Sequence, residues 1–422
     1  MTTIPHDGRL DATLAFRRDP YRFISRRARE LRSEVFACRI LLQRTVCMTG
    51  RDAAESFYDE KHFLRHGAVP TAIRKTLFGS GGVQGLDGPA HRHRKRMFLE
   101  LMTPDRVEEL ADRSTRAWRE VLGAVDGPDE VELYALAQEV FARAVCDWAG
   151  VPLREAEVPA RTRDLTAMFD AAGTVGLRHF GARRARRRSE RWAAGLIART
   201  RAEKMRPGED TALHRIATHR TLDDRLLEPE IAAVELLNVL RPTVAIAVFA
   251  VDAAHALYWH PEWRARLQSG DAAALHSFAQ EVRRYYPFFP AVTAVVRDDF
   301  TWHGMELRGG TWAFLDLYGT DHDPAQWVRP DEFLPERFED RDVGLFELVP
   351  QGGGDHAEGH RCAGEPVTVA LLERAAHFLA AELDYTVPEQ DTGLDFGRLP
   401  ALPKDGFRIR DVKLRAPHPA AL

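Results

Sequence analysis

Apolar residues recur three and four positions apart through 107–122, 131–149, 192–201, 231–258, 275–286 and 367–383, a spacing that gathers them on one face of a helix. Strand-like alternation is confined to short pieces at 294–297, 300–302 and 311–316, set around the turn residues His303-Gly304 and Arg308-Gly309-Gly310. The pattern predicts a mainly α chain with a small β portion. No internal repeat or Ser/Gly-rich linker divides it, and the longest Pro/Gly-punctuated stretch, 318–358, lies between elements that belong together. A single domain over 1–422 is expected.

Composition narrows the classes. With 422 residues, 45 % hydrophobic and 29 % charged, the chain has the make-up of a folded globular protein rather than a disordered or fibrous one. Lys and Arg number 59 against 63 Asp and Glu, and the net charge of −4 gives no general attraction to nucleic acid or to an anionic membrane. The strongest basic run, from Arg178 to Arg206, reads as a solvated helix face with Trp192, Leu196 and Ile197 turned inward, an anionic partner being the alternative. Cys38, Cys47, Cys146 and Cys362 lack the spacing of a disulfide framework, and the start from Met1 to Arg9 lacks a secretory signal, so a cytoplasmic protein is expected. The longest apolar run, 244–251, closes at Asp252, well short of the roughly eighteen residues a membrane span needs. No span is expected.

Chemistry gathers between Pro350 and Glu365, where Gly352, Gly353, Gly354, His356, Gly359, His360, Arg361, Cys362 and Gly364 precede an apolar-periodic helix. The positive end of that helix favours a thiolate at Cys362, the form that ligates a metal. The glycines let backbone approach a flat partner, and His360 and Arg361 supply donors for carboxylates beside it. The combination suits haem b, with Cys362 as the iron ligand. His91 and Lys95, four apart on one helix face, join Arg65 and His360 as candidate propionate contacts, while His93, Arg94 and Arg96 read as solvated. Three other readings stand beside haem: a buried structural cysteine, a zinc site of His356, His360 and Cys362, and a nucleophilic cysteine with His360 as base.

Upstream, Glu281 and Arg284 lie three apart on one helix face, and Arg337 follows in Pro335-Glu336-Arg337-Phe338. An E-x-x-R alone is an ordinary surface pair. Together with the cysteine loop, in this order, the set resembles the cytochrome P-450 superfamily, over a stretch running from Asp19-Pro20-Tyr21 to Leu399-Pro400-Ala401-Leu402-Pro403. The resemblance implies the single-domain cytochrome P-450 fold, a structural triad of Glu281, Arg284 and Arg337, and a haem-thiolate loop at Cys362.

One segment departs from the common monooxygenase pattern. Where that pattern has an acid–alcohol pair above the haem, this helix reads Leu240-Arg241-Pro242-Thr243-Val244-Ala245-Ile246. Pro242 removes a backbone donor and bends the helix, and Arg241 puts a permanent cation into an apolar wall, at a penalty of several kcal/mol if unpaired. An anionic ligand would compensate; so would an internal acid such as Glu235 or Asp252. The Arg241-Pro242 pair, the insertion 355–358 and Gln84-Gly85-Leu86-Asp87-Gly88 resemble the fatty-acid peroxygenase branch, most closely the bacterial fatty-acid α-hydroxylases.

That resemblance implies hydroxylation of long-chain fatty acids with hydrogen peroxide, without an obligatory redox partner. Arg241 holds the carboxylate, which serves as the general acid–base, and anchoring the head group beside the metal leaves only Cα or Cβ within reach. Phe78, Val244, Phe288, Phe289, Pro290 and Ala291 are the candidate channel for the tail. Gln84, where related decarboxylases carry histidine, favours hydroxylation over alkene formation. The competing readings are a decarboxylase, a monooxygenase fed by a redox partner docked on the arginine-rich stretch, and a non-catalytic haem- or fatty-acid-binding protein.

Overall fold

The computed structural model describes residues 4–125, 129–171, 173–174 and 176–415. Helix accounts for 51 % and strand for 12 %, the mainly α balance that the periodicity predicts. The periodic segments become the helices Pro104–Gly123, Leu133–Trp148, Leu177–Arg201, Pro229–Ala245, Ala247–Trp259, Ala272–Tyr285 and Glu365–His377. Helix Leu177–Arg201 starts well before its apolar pattern, because its first half is rich in arginine, a good helix former with no stripe to reveal it. The segment predicted as one helix over 231–258 is interrupted at Ile246, one turn beyond Pro242.

A five-stranded sheet takes the order Val35–Ile40, Gln43–Met48, Trp312–Asp316, Ala291–Val296, Phe63–Leu64. The first two strands form a hairpin that turns on Leu41 and Leu42, both at positive φ (52° and 62°). Such turns usually carry Asn or Gly, so two leucines conceal the turn in the sequence. Here the loop is held from outside: Leu41 N–H donates to Thr13 Oγ1 and Leu42 N–H to Asp11 Oδ2, each at 2.6 Å. The sheet brings Arg65, just past Phe63–Leu64, beside Thr293 of the neighbouring strand.

The largest core surrounds Pro229–Ala245 and Ala247–Trp259, packed among the helices Leu133–Trp148, Leu177–Arg201, Ala272–Tyr285 and Glu365–His377. By mean hydropathy (1.7) Pro229–Trp259 is apolar enough to cross a membrane, which the count of uninterrupted apolar residues missed. Its most apolar window is 94 % buried inside the protein, so its hydrophobicity is spent on the core.

Candidate active site

Cys362 sits in the loop that ends at helix Glu365–His377, and two buried ion pairs hold that loop. Glu365 accepts from Arg283 and from Arg361, and Arg283 Nε also donates to Gln351 Oε1 at 3.1 Å. Burial alone would raise the Glu365 carboxyl, but Arg283 and Arg361 outweigh it and hold the group down at about 2. Cys362 N–H donates to Gln351 O at 3.1 Å, closing the loop on itself. Gly352 needs its freedom here: φ is +94° and a Cβ would lie 2.8 Å from Tyr58 Oη. Sequence reasoning missed Glu365 and Arg283, although Arg361 and Glu365 have the i,i+4 spacing of a helical ion pair.

Lys95 is buried and donates to the carbonyls of Gly359 and Arg361, which clamps the cysteine loop and leaves the third ammonium N–H for a propionate. Burial also pushes the Cys362 thiol up, outweighing the bond from Gly364 N–H and the cations Lys95 and Arg283. The Cys362 side chain is accessible even though it lies deep in the protein, so its open face looks into the interior.

Across from it stands Pro229–Ala245. Arg241 is 5 % exposed, its Nε has no partner, and no carboxylate pairs with it among the described residues. The internal acids weighed from the sequence are otherwise engaged or distant: Glu235 pairs with Arg94 at 2.6 Å, and the charge opposing Asp252 is Arg398. Arg94, read as solvated, is thus a buried partner. Burial, then the neighbouring Arg186, push the Arg241 guanidinium down to about 9, and only Cys362 opposes them. Arg241 and Cys362 therefore lie within electrostatic reach of each other. The guanidinium lies 5.9 Å from the Phe78 ring centroid. Thr243, the hydroxyl nearest the bend, is committed to Val239 O at 2.9 Å.

Gln84 lies on the 3-10 turn Val83–Gly85, where Asn238 donates to its Oε1 at 3.2 Å and to Glu235 Oε2 at 2.8 Å. Among the candidate channel residues, Val244 and Phe288 are buried, and Phe288 stacks on Phe249 at 4.5 Å and meets Phe289 edge-on at 4.7 Å. Pro290 and Ala291 continue from them into the sheet, Pro290 O accepting from Leu317 N–H at 3.0 Å.

At the rim, His91 stacks on His360 at 3.9 Å. Burial and the adjacent His360 push His91 down to about 3, and burial lowers His360 despite Asp87 at 3.6 Å. His91 Nδ1 has no hydrogen-bond partner, whereas His360 Nε2 faces Asp87 Oδ1 at 3.6 Å and Glu60 Oε1 at 4.0 Å. Arg65 packs over the rings of Phe57 and Tyr58 at 4.2 and 5.0 Å and donates to Thr293 O at 3.4 Å. Asp87 accepts the N–H groups of Arg65 and His66 at 2.8 and 2.9 Å. The zinc set of His356, His360 and Cys362 is not assembled; the His/Cys/acid trio that converges among the described residues is Glu60, His91 and His360, without the thiol.

The residues fit haem: an accessible thiol set deep in the protein, a buried guanidinium without a carboxylate partner among the described residues, and a buried His91 nitrogen without a partner. Glu281 and Arg284 form a bidentate pair with both side chains fully buried, and Arg337 Nε joins at 3.2 Å, so the pair read as ordinary in isolation is a core triad.

Comparison with known proteins agrees with this geometry. The cytochrome P450 family model matches residues 273–372. The fold matches cytochrome P450SP alpha (CYP152B1), solved in complex with (R)-ibuprophen, at 50 % identity and a TM-score of 0.94, covering 96 % of this chain and 99 % of that one. It also matches cytochrome P450EX alpha (CYP152N1), solved with myristic acid, at 41 % identity and a TM-score of 0.95, covering 98 % and 100 %. Curated plant relatives match over a shorter stretch: cytochrome P450 71D180 of Origanum vulgare is 31 % identical over 125 residues, 29 % of this chain and 24 % of its own length. The chain spans about a quarter of the length of such plant relatives. A thiol loop, a buried Glu-Arg-Arg triad and near-complete superposition define a haem-thiolate protein. The chain belongs to the cytochrome P450 family, whose cofactor is haem held by a cysteine thiolate.

Proposed function

We propose that this protein is a hydrogen-peroxide-dependent hydroxylase of long-chain fatty acids, acting at Cα with Cβ also within reach. The observation that carries the reading is Arg241, a buried cation with no carboxylate partner among the described residues, within electrostatic reach of Cys362. Leaving such a charge uncompensated costs several kcal/mol, which a bound carboxylate recovers. When bound through Cys362, haem supplies the oxidising chemistry, with peroxide as the oxidant. Arg241 pins the fatty-acid head group by a charge-assisted contact. The pinned carboxylate then holds and returns the proton, a task for which this wall offers no acid–alcohol pair, since Thr243 already bonds to Val239 O. Phe78, Val244, Phe288, Phe289 and Pro290 exclude water along the tail.

Gln84 favours hydroxylation over alkene formation. With its Oε1 occupied by Asn238, it offers the site a neutral amide that cannot relay a proton as an imidazole does. His91, Arg65 and His360 ring the haem edge, with the unpaired His91 nitrogen available to a propionate. The four unpaired thiols support a cytoplasmic setting. Incubating purified protein with peroxide and a saturated long-chain acid, then separating 2-hydroxy acid, 3-hydroxy acid and alkene, tests the reading. Hydroxy acid from peroxide alone is expected. Product formed only with reduced nicotinamide and a redox partner would overturn it, and lipid binding without product would make the protein a carrier.

A further inference from the structure

The arginine-rich helix Leu177–Arg201 is not uniformly solvated: Arg186 is completely buried. Its Nη1 donates to Leu77 O and its Nη2 to Phe78 O, each at 3.1 Å, while Nε pairs with Glu190 at 2.8 Å. Those two carbonyls end the π-helix Arg74–Phe78, where the backbone has no further helical donors to satisfy them. A π turn is an uncommon, easily lost conformation that persists only where surrounding groups hold it. The next residue, Gly79, has φ +85°, and a Cβ there would lie 2.1 Å from Arg186 Nη2 and 2.8 Å from Val234 Cγ2. The fit between guanidinium and backbone is therefore close. Phe78, whose carbonyl is gripped, is the ring beside Arg241.

We propose that Arg186 is a positioning residue of the fatty-acid site: by gripping the backbone of Leu77 and Phe78 it fixes the Phe78 ring beside Arg241, and so decides which carbon of the anchored acid is oxidised. This rests on the fatty-acid hydroxylase reading above. Arg186 touches neither substrate nor cofactor in this role.

The test compares Arg186→Met, Arg186→Lys, Gly79→Ala and Phe78→Leu as haem-loaded proteins. The readouts are palmitate affinity, KM and kcat with peroxide, the ratio of 2-hydroxy to 3-hydroxy acid, and amide hydrogen exchange over residues 74–79. In Arg186→Met, exchange over this segment is expected to rise, the product ratio to move about fivefold or more and KM to climb about tenfold, since small misplacements near a reacting centre carry large rate penalties. Arg186→Lys, which can grip one carbonyl, should restore part of the ratio. Gly79→Ala pushes on the same contact with Arg186 intact and should give the same shift, which keeps the test available if Arg186→Met does not fold. Phe78→Leu should change the ratio without faster exchange. Faster exchange in Arg186→Met with an unchanged product ratio and KM would show a merely structural clamp and overturn the proposal, as would unchanged exchange. If the wild-type protein yields no hydroxy acid, the hydroxylase reading falls instead, and palmitate affinity with exchange still reports whether Arg186 shapes the pocket.

Discussion

In the proposed function Arg241 carries the fatty-acid head group, because no carboxylate pairs with it among the described residues. The sequence supplied a cation in an apolar helix, but only the pairing of Glu235 with Arg94 removed the nearest rival for it. Arg241→Ala is expected to abolish fatty-acid binding and peroxide-dependent turnover together, while Arg241→Lys keeps weak binding because an ammonium lacks the planar fork for a carboxylate. Titrating each variant with palmitate by absorption spectroscopy checks this; normal affinity in the alanine variant would remove the anchor. Cys362 illustrates the opposite dependence. Burial pushes its thiol up while a bound metal favours the thiolate, and Cys362→Ala, which removes the ligand sulfur, should lose the thiolate-type spectrum of the ferrous–carbonyl complex. An unchanged spectrum would assign the iron ligand elsewhere.

Among the elements, helix Ala272–Tyr285 works as a bracket between the cysteine loop and the chain from Asp321 to Arg337. Arg284 donates to the carbonyls of Asp321, Pro330 and Glu332 while pairing with Glu281, and Arg283 beside it reaches Glu365. Glu281→Ala leaves two arginines facing an empty site, and a loss of about 3–5 kcal/mol is expected, read by chemical denaturation of the haem-loaded protein. A loss under about 1 kcal/mol would place the triad among ordinary surface pairs. Helix Ala247–Trp259 carries a different tension. Asp252 is 1 % exposed with Oδ1 unpartnered, and Arg398, the opposing charge, is engaged with Asp170 at 3.1 Å. Burial raises the folded-state pKa of Asp252 above its unfolded value, so its contribution to stability is full at low pH and declines as pH rises toward the folded value. Asp252→Asn removes that decline. Its melting temperature should exceed the wild type by more at pH 8 than at pH 5; a gain independent of pH would mean the carboxyl is not the source.

At the scale of the whole molecule, the site closes only when distant segments meet around the cofactor. Arg65, His91, Arg241 and Cys362 come from separate segments of the chain, and the unpartnered Arg241 Nε and His91 Nδ1 are groups that a fatty-acid carboxylate and a haem propionate would satisfy. Haem-free protein is accordingly expected to melt at lower temperature and to exchange amide hydrogens faster over 350–365, with both effects reversed on haem addition, by about 2.7 kcal/mol at one hundred times the dissociation constant. Equal melting with and without haem would contradict a site built around it.

The sequence by itself determined what neighbours along the chain can determine. Helical periodicity, the thiol set among glycines ahead of a helix, the Glu281–Arg284 spacing and the cation beside Pro242 are all local relations, fixed by helix geometry and side-chain chemistry. The hairpin on Leu41-Leu42, the Lys95 clamp on the cysteine loop, the Glu235–Arg94 pair and the burial of Arg186 were decided only in the tertiary structure. Each joins residues whose meeting is set by packing, and a charged side chain looks the same in sequence whether it faces water or a carbonyl one hundred residues away. Local spacing can propose a partner; exclusion of water decides which partner is obligatory.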